Sequence, residues 1–123
     1  MATLADRVMD NGLAVLDTEA NVLHLTSQEA TTFTEATATY SLGNASSISI
    51  SAPTDRAAGG RKVTLAAITN GVINANGTAT HYAIVDTVNS RLLATDALTS
   101  GQIVYSGNNF ALTTMDIEFT DPT

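Results

Sequence analysis

Residues 78–95 read TATHYAIVDTVNSRLLAT, and the fold is organised around this stretch. Small or apolar side chains occupy both alternating faces of Ala79–Asp86, a pattern typical of a strand covered on both sides of its sheet. Asp86–Ser90 carries Asp, Asn and Ser side chains that can bond their own backbone, which predicts a turn. Arg91–Thr95 then returns as the partner strand. The stretch therefore predicts a hairpin at the centre of an all-β core.

Shorter elements are predicted on both sides of this hairpin. Val22–Thr26 forms a strand with Leu23 and Leu25 inward, and Ser47–Ala52 (SISISA) alternates polar and apolar residues as a half-buried strand does. The other expected elements are strands at Lys62–Asn70 (with Val63, Leu65 and Ala67 on one face) and Gln102–Ser106, a loop at Thr54–Gly60, and turns at Asn70–Gly71, Asn76–Gly77 and Gly107–Asn109.

The last predicted strand changes its inward face part of the way along. Phe110 and Leu112 share one parity, whereas Met115, Ile117 and Phe119 share the other. A β-bulge at residues 113–114 would produce this slip, because one extra residue flips every later side chain.

The count of about seven or eight short strands favours a mainly β fold, either an antiparallel β-sandwich or a jelly-roll-like barrel, over residues 21–121.

A helical segment is expected before the strands, within residues 1–20. Thr3 and Asp6 have capping-box spacing, and the apolar stripe formed by Leu4, Val8 and Val15, with Met9 and Leu16 beside it, predicts a core-facing helix over residues 4–19. Gly12 interrupts the stripe, so the alternative is a short helix that ends there. Residues 31–42, which are rich in threonine, are expected to form an extended arm or an edge strand.

Composition and charge exclude several classes of function. A chain of 123 residues without cysteine predicts one domain (residues 1–123) that has no disulfide framework and no thiolate metal site. The net charge of −7 leaves no basic patch for nucleic acid or for an anionic membrane. The sequence also lacks an apolar run long enough to cross a bilayer and begins without the apolar region of a secretory signal.

Catalytic constellations are not predicted. His24 and His81 are the two candidate bases for a Ser-His-Asp triad, and Asp86 lies five residues after His81, which places the two side chains on opposite faces of one strand. Single histidines on strands are usually packing residues, and two histidines without paired spacing do not make a zinc site. We therefore predict no catalytic residue, no cofactor and no metal, and the chain is not expected to be an enzyme.

Three weaker motifs also favour structural explanations. Gly59–Lys62 resembles a phosphate-binding loop only superficially, because Lys62 continues into a strand and not a helix. Asp116, Glu118 and Asp121 form an acidic strip that lacks the spacing of an EF-hand and is expected to be a solvated face or a contact for a basic partner. The glycosylation sequons at Asn44 and Asn76 are expected to mark loops only.

Several stretches carry a resemblance to a known group of proteins. They are SQEATTFTEA (27–36), GGRKVT (59–64), ATHYAIVD (79–86) with the following LLAT (92–95), and SGNNF (106–110). In this order the chain resembles small virion structural proteins of tailed bacteriophages and prophages, over nearly its whole length. The resemblance implies a virion component that assembles in the host cytoplasm, and it supplies no catalytic residues.

The leading hypothesis is a head decoration (cement) protein that binds the major capsid protein or another virion protein, with self-association, for example as trimers, as a further expectation. One alternative is a tail- or fibre-associated module that binds host glycans, for which Phe33, Tyr40, Tyr82 and Tyr105 are the candidate stacking residues. The other alternative, a small hydrolase, would need a buried histidine beside a carboxylate in a cleft.

Overall fold

The computed structural model describes residues 6–46, 48–56 and 59–119. In chain order the elements are α1 (Asp6–Glu19), β1 (Val22–Thr26), a π-helical turn (Glu35–Thr39), β2 (Ser41–Ser46), β3 (Thr54–Asp55), β4 (Arg61–Leu65), β5 (Ile68–Ile73), β6 (Gly77–Asp86), β7 (Arg91–Val104), β8 (Asn109–Leu112) and β9 (Met115–Phe119).

The strands form two antiparallel sheets. The larger sheet has the order β7-β6-β1-β2-β5-β8, and the smaller one has the order β3-β4-β9. The main core lies between the inner face of the larger sheet, the smaller sheet and α1, which contribute, for example, Ile84, Val63 and Leu13. The prediction of a mainly β, antiparallel fold with an N-terminal helix is confirmed, and the arrangement is sandwich-like. The alternative of a jelly-roll-like barrel is wrong, because the sheets do not close.

Strand β6 lies inside the larger sheet and is covered on both faces, as its sequence predicts. Its inward residues Tyr82 and Ile84 belong to the main core. On the outer face, Ala83 and Val85 pack in a second cluster under the segment that connects β1 to β2. The hairpin turn is confirmed as well: residues 87–90 turn the chain, and Ser90 adopts a positive φ of 56°.

Strand β7 is longer than the sequence predicts. Arg91–Thr95 and Gln102 were expected in separate strands, whereas Arg91–Val104 forms one strand along β6. Its register shifts between the pairs His81↔Ala97 and Ala79↔Gln102, so that residues 98–101 of β7 lie opposite Thr80 alone. The shift allows one long edge strand to follow β6 over its whole length.

Helix α1 continues through Gly12, so the first of the two helical alternatives is confirmed over the described residues. Leu13 and Leu16 are buried, but Val15 is 37% exposed, so its predicted core-facing position is wrong. The stripe that faces the core is therefore rotated from the predicted one. Thr3 and Leu4 lie outside the described residues, as do the side chains of residues 6–9.

Residues 31–40 are not extended, and the predicted arm or edge strand is wrong there. The segment makes a bend and a π-helical turn, in which Glu35 Oε1 accepts hydrogen bonds from the Thr31 amide and hydroxyl, both at 2.8 Å. Ala36, fully buried, packs on the outer face of the larger sheet. Ala30 and Ala36 are small and buried, which lets the backbone of this segment lie close to the sheet.

Two predicted features mark places where the chain passes from one sheet to the other. The predicted strand Lys62–Asn70 is divided into β4 and β5, since Leu65 and Ile68 are both buried and residues three apart cannot face inward on one straight strand. Ala67 is exposed, in contrast to its prediction. The slip at residues 113–114 is not a bulge, because β8 pairs with β5 and β9 pairs with β4 in different sheets. Both connections are two residues long and lie side by side.

The remaining differences concern local pairing and turns. The predicted strand Ser47–Ala52 is reduced to one isolated bridge between Ile50 and Leu65. Ile48 and Ile50 still face the core as predicted. Ser47 lies outside the described residues. The predicted loop after Pro53 contains the short strand β3.

The predicted turn at Asn70–Gly71 is wrong, because both residues lie inside β5. Gly71 provides space: a Cβ there would lie 2.4 Å from the Phe110 ring. Gly77 begins β6 and is not among the residues with positive φ, whereas Gly107 has a φ of 92° in the turn predicted for it.

Candidate functional site

The two histidines lie on the outer face of the larger sheet and do not form a catalytic arrangement with Asp86. His24 is 7% exposed, and its Nδ1 lies 2.8 Å from Ser41 Oγ; burial lowers the pKa of this imidazole. His81 Nδ1 lies 2.8 Å from the hydroxyl of Thr80. Within the described residues neither histidine has a carboxylate partner, and no group of three or more His, Cys, Asp or Glu is placed to hold a metal.

Asp86 instead stabilises the hairpin turn. Its carboxylate accepts hydrogen bonds from the Val88 amide at 2.9 Å and from the Asn89 side chain at 2.8 Å. The Asn89 side-chain hydrogen bond is the main cause that lowers the pKa of Asp86. The residue acts as a turn-forming carboxylate, which is the role that its position in the sequence predicts.

The basic residues after Gly59–Gly60 are engaged with carboxylates of the same chain. Arg61 Nε donates to Asp10 at 2.7 Å and its Nη1 donates to Asp55 at 2.6 Å, which raises the pKa of the guanidinium. These ion pairs connect β4 to α1 and to β3. The arrangement supports a structural role for this stretch, and Lys62 continues into strand β4 as its sequence predicts.

The acidic strip on β9 is neutralised from within the molecule. Asp116 accepts hydrogen bonds from the Thr64 hydroxyl at 2.8 Å and from Lys62 at 3.2 Å, and these contacts lower its pKa. Glu118 pairs with Arg56. Asp116 and Glu118 lie on the outward face of the smaller sheet, which agrees with the solvated face that was one of the two expectations for this strip. Asp121 lies outside the described residues.

Three of the four aromatic candidates for glycan stacking are engaged in packing. Tyr82 is 7% exposed in the main core, and Phe33 and Tyr40 pack against the second cluster. Only Tyr105, at 57% exposure, presents a free ring. Of the two sequon asparagines, Asn44 pairs within β2 and not in a loop, whereas Asn76 lies in the loop between β5 and β6 as expected, where its Oδ1 accepts a hydrogen bond from the Ser106 amide at 2.8 Å.

The most distinctive feature of the described surface is a groove along one side of the sandwich. We call this groove the seam: β7 from residue 94 to residue 104 forms one wall, and residues 109–118 of β8 and β9 form the other. Leu25 and Tyr82 lie at its floor. β7 and β8 are the two edge strands of the larger sheet and β9 is an edge strand of the smaller sheet, so the seam runs between sheet edges.

The two ends of the seam differ in chemistry. The wide end has a volume of about 670 Å³ and is lined by apolar and hydroxyl groups, among them Leu98, Ile103 and Phe110. The acidic end has a volume of about 310 Å³ and is lined by Asp96, Asp116 and Glu118. Tyr82 touches both ends. Burial and then the nearby charge of Asp96 raise the pKa of the Tyr82 hydroxyl.

Both walls of the seam are strand edges. Within the described residues β7 pairs only with β6, β8 only with β5, and β9 only with β4. An edge strand carries main-chain N–H and C=O groups that can accept another strand. The seam can therefore bind an extended chain through main-chain hydrogen bonds, with side-chain pockets that add selectivity.

Sequence reasoning did not find the seam, although two signals pointed toward it. The change of parity between Leu112 and Met115 marks the corner at which one wall passes between the sheets. The exposed Ile103 lies in a stretch that reads as an ordinary strand. Neither signal shows that β7 lies across from β8 and β9, because that arrangement depends on contacts between residues distant in sequence.

In the described part of the chain no helix is long and apolar enough to cross a membrane. Comparisons of the chain with protein-family models, curated proteins and solved structures found no match.

Proposed function

We propose that this protein is a non-enzymatic structural protein of a tailed-bacteriophage virion, and specifically a head decoration protein that binds the outer surface of the capsid. The resemblance of its sequence to small phage virion proteins suggests the setting. The observation that carries the proposal is the seam, a groove along the edges of β7, β8 and β9 that pair with no further strand among the described residues.

The physical properties of the chain fit attachment to a repeating shell. Ion pairs hold α1, β3, β4 and β9 together at the smaller sheet, so the sandwich can act as a rigid unit. A decoration protein binds at many equivalent sites, and a modest affinity at each one is sufficient to reinforce a shell. Self-association on the particle, for example as trimers at three-fold positions, belongs to the same proposal.

The experiment compares particles assembled with and without this protein. Particles without it are expected to lose their DNA at a lower temperature and to resist osmotic shock less well, and adding back the purified protein should restore both properties. Equal resistance of the two kinds of particle would refute the cement role. A copy number of hundreds per virion supports a head position, whereas tens or fewer would place the protein on the tail.

The glycan-binding alternative has weak support from the aromatic side chains. A stacking site needs exposed rings, and Tyr105 alone among the four candidates meets this condition. Loss of host adsorption by a Tyr105→Ala virion with unchanged heat resistance would favour that alternative over the cement role.

A further inference from the structure

We propose that the seam binds one extended segment of another virion protein as an added β-strand, with a Lys or Arg of that segment beside Asp96 and apolar side chains in the wide end. This inference deepens the proposed function and rests on it for the source of the segment. The supporting observations are the strand edges, the apolar lining and the charge of the seam.

The length of the seam sets the length of the segment. The β7 wall runs from Ala94 to Val104 and includes the irregular stretch opposite Thr80. At about 3.3 Å per residue, a segment of roughly eight to ten residues follows this wall from end to end. Such a strand gains main-chain hydrogen bonds from an edge, and alternate side chains point into the groove.

The wide end supplies the apolar contacts. Ile103 is 70% exposed, which is unusual for a large aliphatic side chain on a strand, and it lies at the wall of the seam. Leu98, Phe110 and Leu112 are only partly buried against the core. An added strand that covers these four side chains removes apolar surface from water, which favours binding.

The acidic end determines which kind of partner fits. Asp96 lies two residues after Ala94 on the edge strand β7, so its side chain is on the same inward face of the sheet. Among the described residues no cation pairs with its carboxylate. Burying this carboxylate under a neutral strand would be costly, whereas a Lys or Arg on the strand would pair with it. The segment is therefore expected to be basic at the end that lies beside Asp96.

The basic residues that the structure describes in this chain do not meet that requirement when they belong to a second copy. The Lys and Arg side chains that the structure describes are engaged with carboxylates of their own chain: Arg56 with Glu118, Arg61 with Asp10 and Asp55, Lys62 with Asp116, and Arg91 with Glu19. The net charge of −7 also makes a second copy a poor source of the basic segment that Asp96 requires. The charge complementarity points to a different protein.

The direct test uses synthetic nonapeptides and the full chain in low salt, with binding measured by calorimetry or fluorescence anisotropy. The peptides alternate Thr and Val and carry a Lys at the first or at the last position. We expect one of these two orientations to bind more tightly, because only one places the Lys beside Asp96. A copy with N-methyl groups at alternate residues is the matched control and should not bind, since it cannot make the edge hydrogen bonds.

Three variants locate the binding. Ile103→Lys should weaken the preferred peptide by at least about tenfold, whereas Val88→Lys, at a residue 83% exposed on the hairpin turn, should leave its affinity unchanged. Asp96→Asn should weaken the Lys peptide by about two- to fivefold and remove the preference for one orientation. A Glu peptide should bind less tightly to the wild type than to Asp96→Asn.

Three outcomes of these binding and sedimentation measurements would overturn the inference. They are the absence of binding by either Lys peptide, equal binding by the N-methylated control, and a dimer in sedimentation that Ile103→Lys abolishes and Val88→Lys retains. The last result would assign the seam to a second copy.

Particle assays separate this inference from the proposed function. If the protein protects capsids and Ile103→Lys protects them equally well, the seam proposal fails and the cement role stands. If peptides bind at the seam but capsids are not protected, the cement role fails and the strand-binding site stands.

Discussion

Replacing Gly43 by alanine should destabilise the protein, because β2 and β5 approach each other too closely at this residue to admit a side chain. A Cβ at this position would lie 2.4 Å from the carbonyl oxygen of Val72 and 3.0 Å from the Cα of Ile73. Both atoms belong to backbone, so relief requires the two strands to separate by about 0.6 Å or more. Forced repacking of this kind typically costs about 1–3 kcal/mol, and we expect about 2 kcal/mol here.

The expected change is large enough for thermal unfolding to detect. A chain of 123 residues gains roughly 0.26 kcal/mol per kelvin of entropy on unfolding, so about 2 kcal/mol lowers Tm by about 8 °C. Circular dichroism or calorimetry at neutral pH measures the shift, and urea titration gives the free energy of unfolding directly.

Gly101→Ala is the matched control, since it makes the same chemical change in β7. A Cβ there would meet its nearest atoms at 3.7 Å, an ordinary contact, so this variant should be unchanged or more stable by up to about 1 kcal/mol. If Gly43→Ala is as stable as Gly101→Ala, β2 does not pair with β5 as described, and the strand order of the larger sheet must be revised.

Three further predictions test the core, the buried histidine and the hairpin turn. Ile84→Ala, at a fully buried residue, should lose about 2–5 kcal/mol in urea unfolding, whereas Val88→Ala on the exposed turn should change stability by less than about 0.5 kcal/mol. The free energy of unfolding should fall as pH drops below about 6.5, because burial lowers the pKa of His24 and the unfolded chain takes up a proton first; His24→Gln should reduce this slope. Asp86→Asn should destabilise the protein at pH 7, where the carboxylate with its lowered pKa is charged and hydrogen-bonded, and the difference from wild type should shrink as pH falls below about 4.

Local sequence patterns correctly predicted the strands in which one pattern of apolar residues continues from end to end. Strands β1 and β6 and the turn after Asp86 lie where the sequence places them, because alternating or continuous apolar residues leave one way to bury them. The continuation of α1 through Gly12 was also predicted, although from a stripe that contained the exposed Val15; Leu13 and Leu16 are the residues that keep the helix against the core beyond the glycine.

Sequence patterns predicted the wrong strand boundaries where a single apolar run contributes strands to two sheets. The stretch from Val63 to Ile68 reads as one strand, but the chain bends within it so that both ends bury side chains in the same core. The partner segment from Leu112 to Met115 bends beside it, and the change of parity there resembles a bulge when it is considered alone. Sequence spacing cannot distinguish the two cases, because the choice depends on which strand lies opposite.

The sequence by itself determined an antiparallel, mainly β chain with a helix before the strands and a covered central hairpin, since hydrophobic periodicity and turn residues act over a few positions. Tertiary structure alone decided the order of the strands, the compact turn over residues 31–40 and the seam between β7 and the β8–β9 wall. These features join residues far apart in the chain, and their free energy comes from packing and edge contacts that no local pattern specifies.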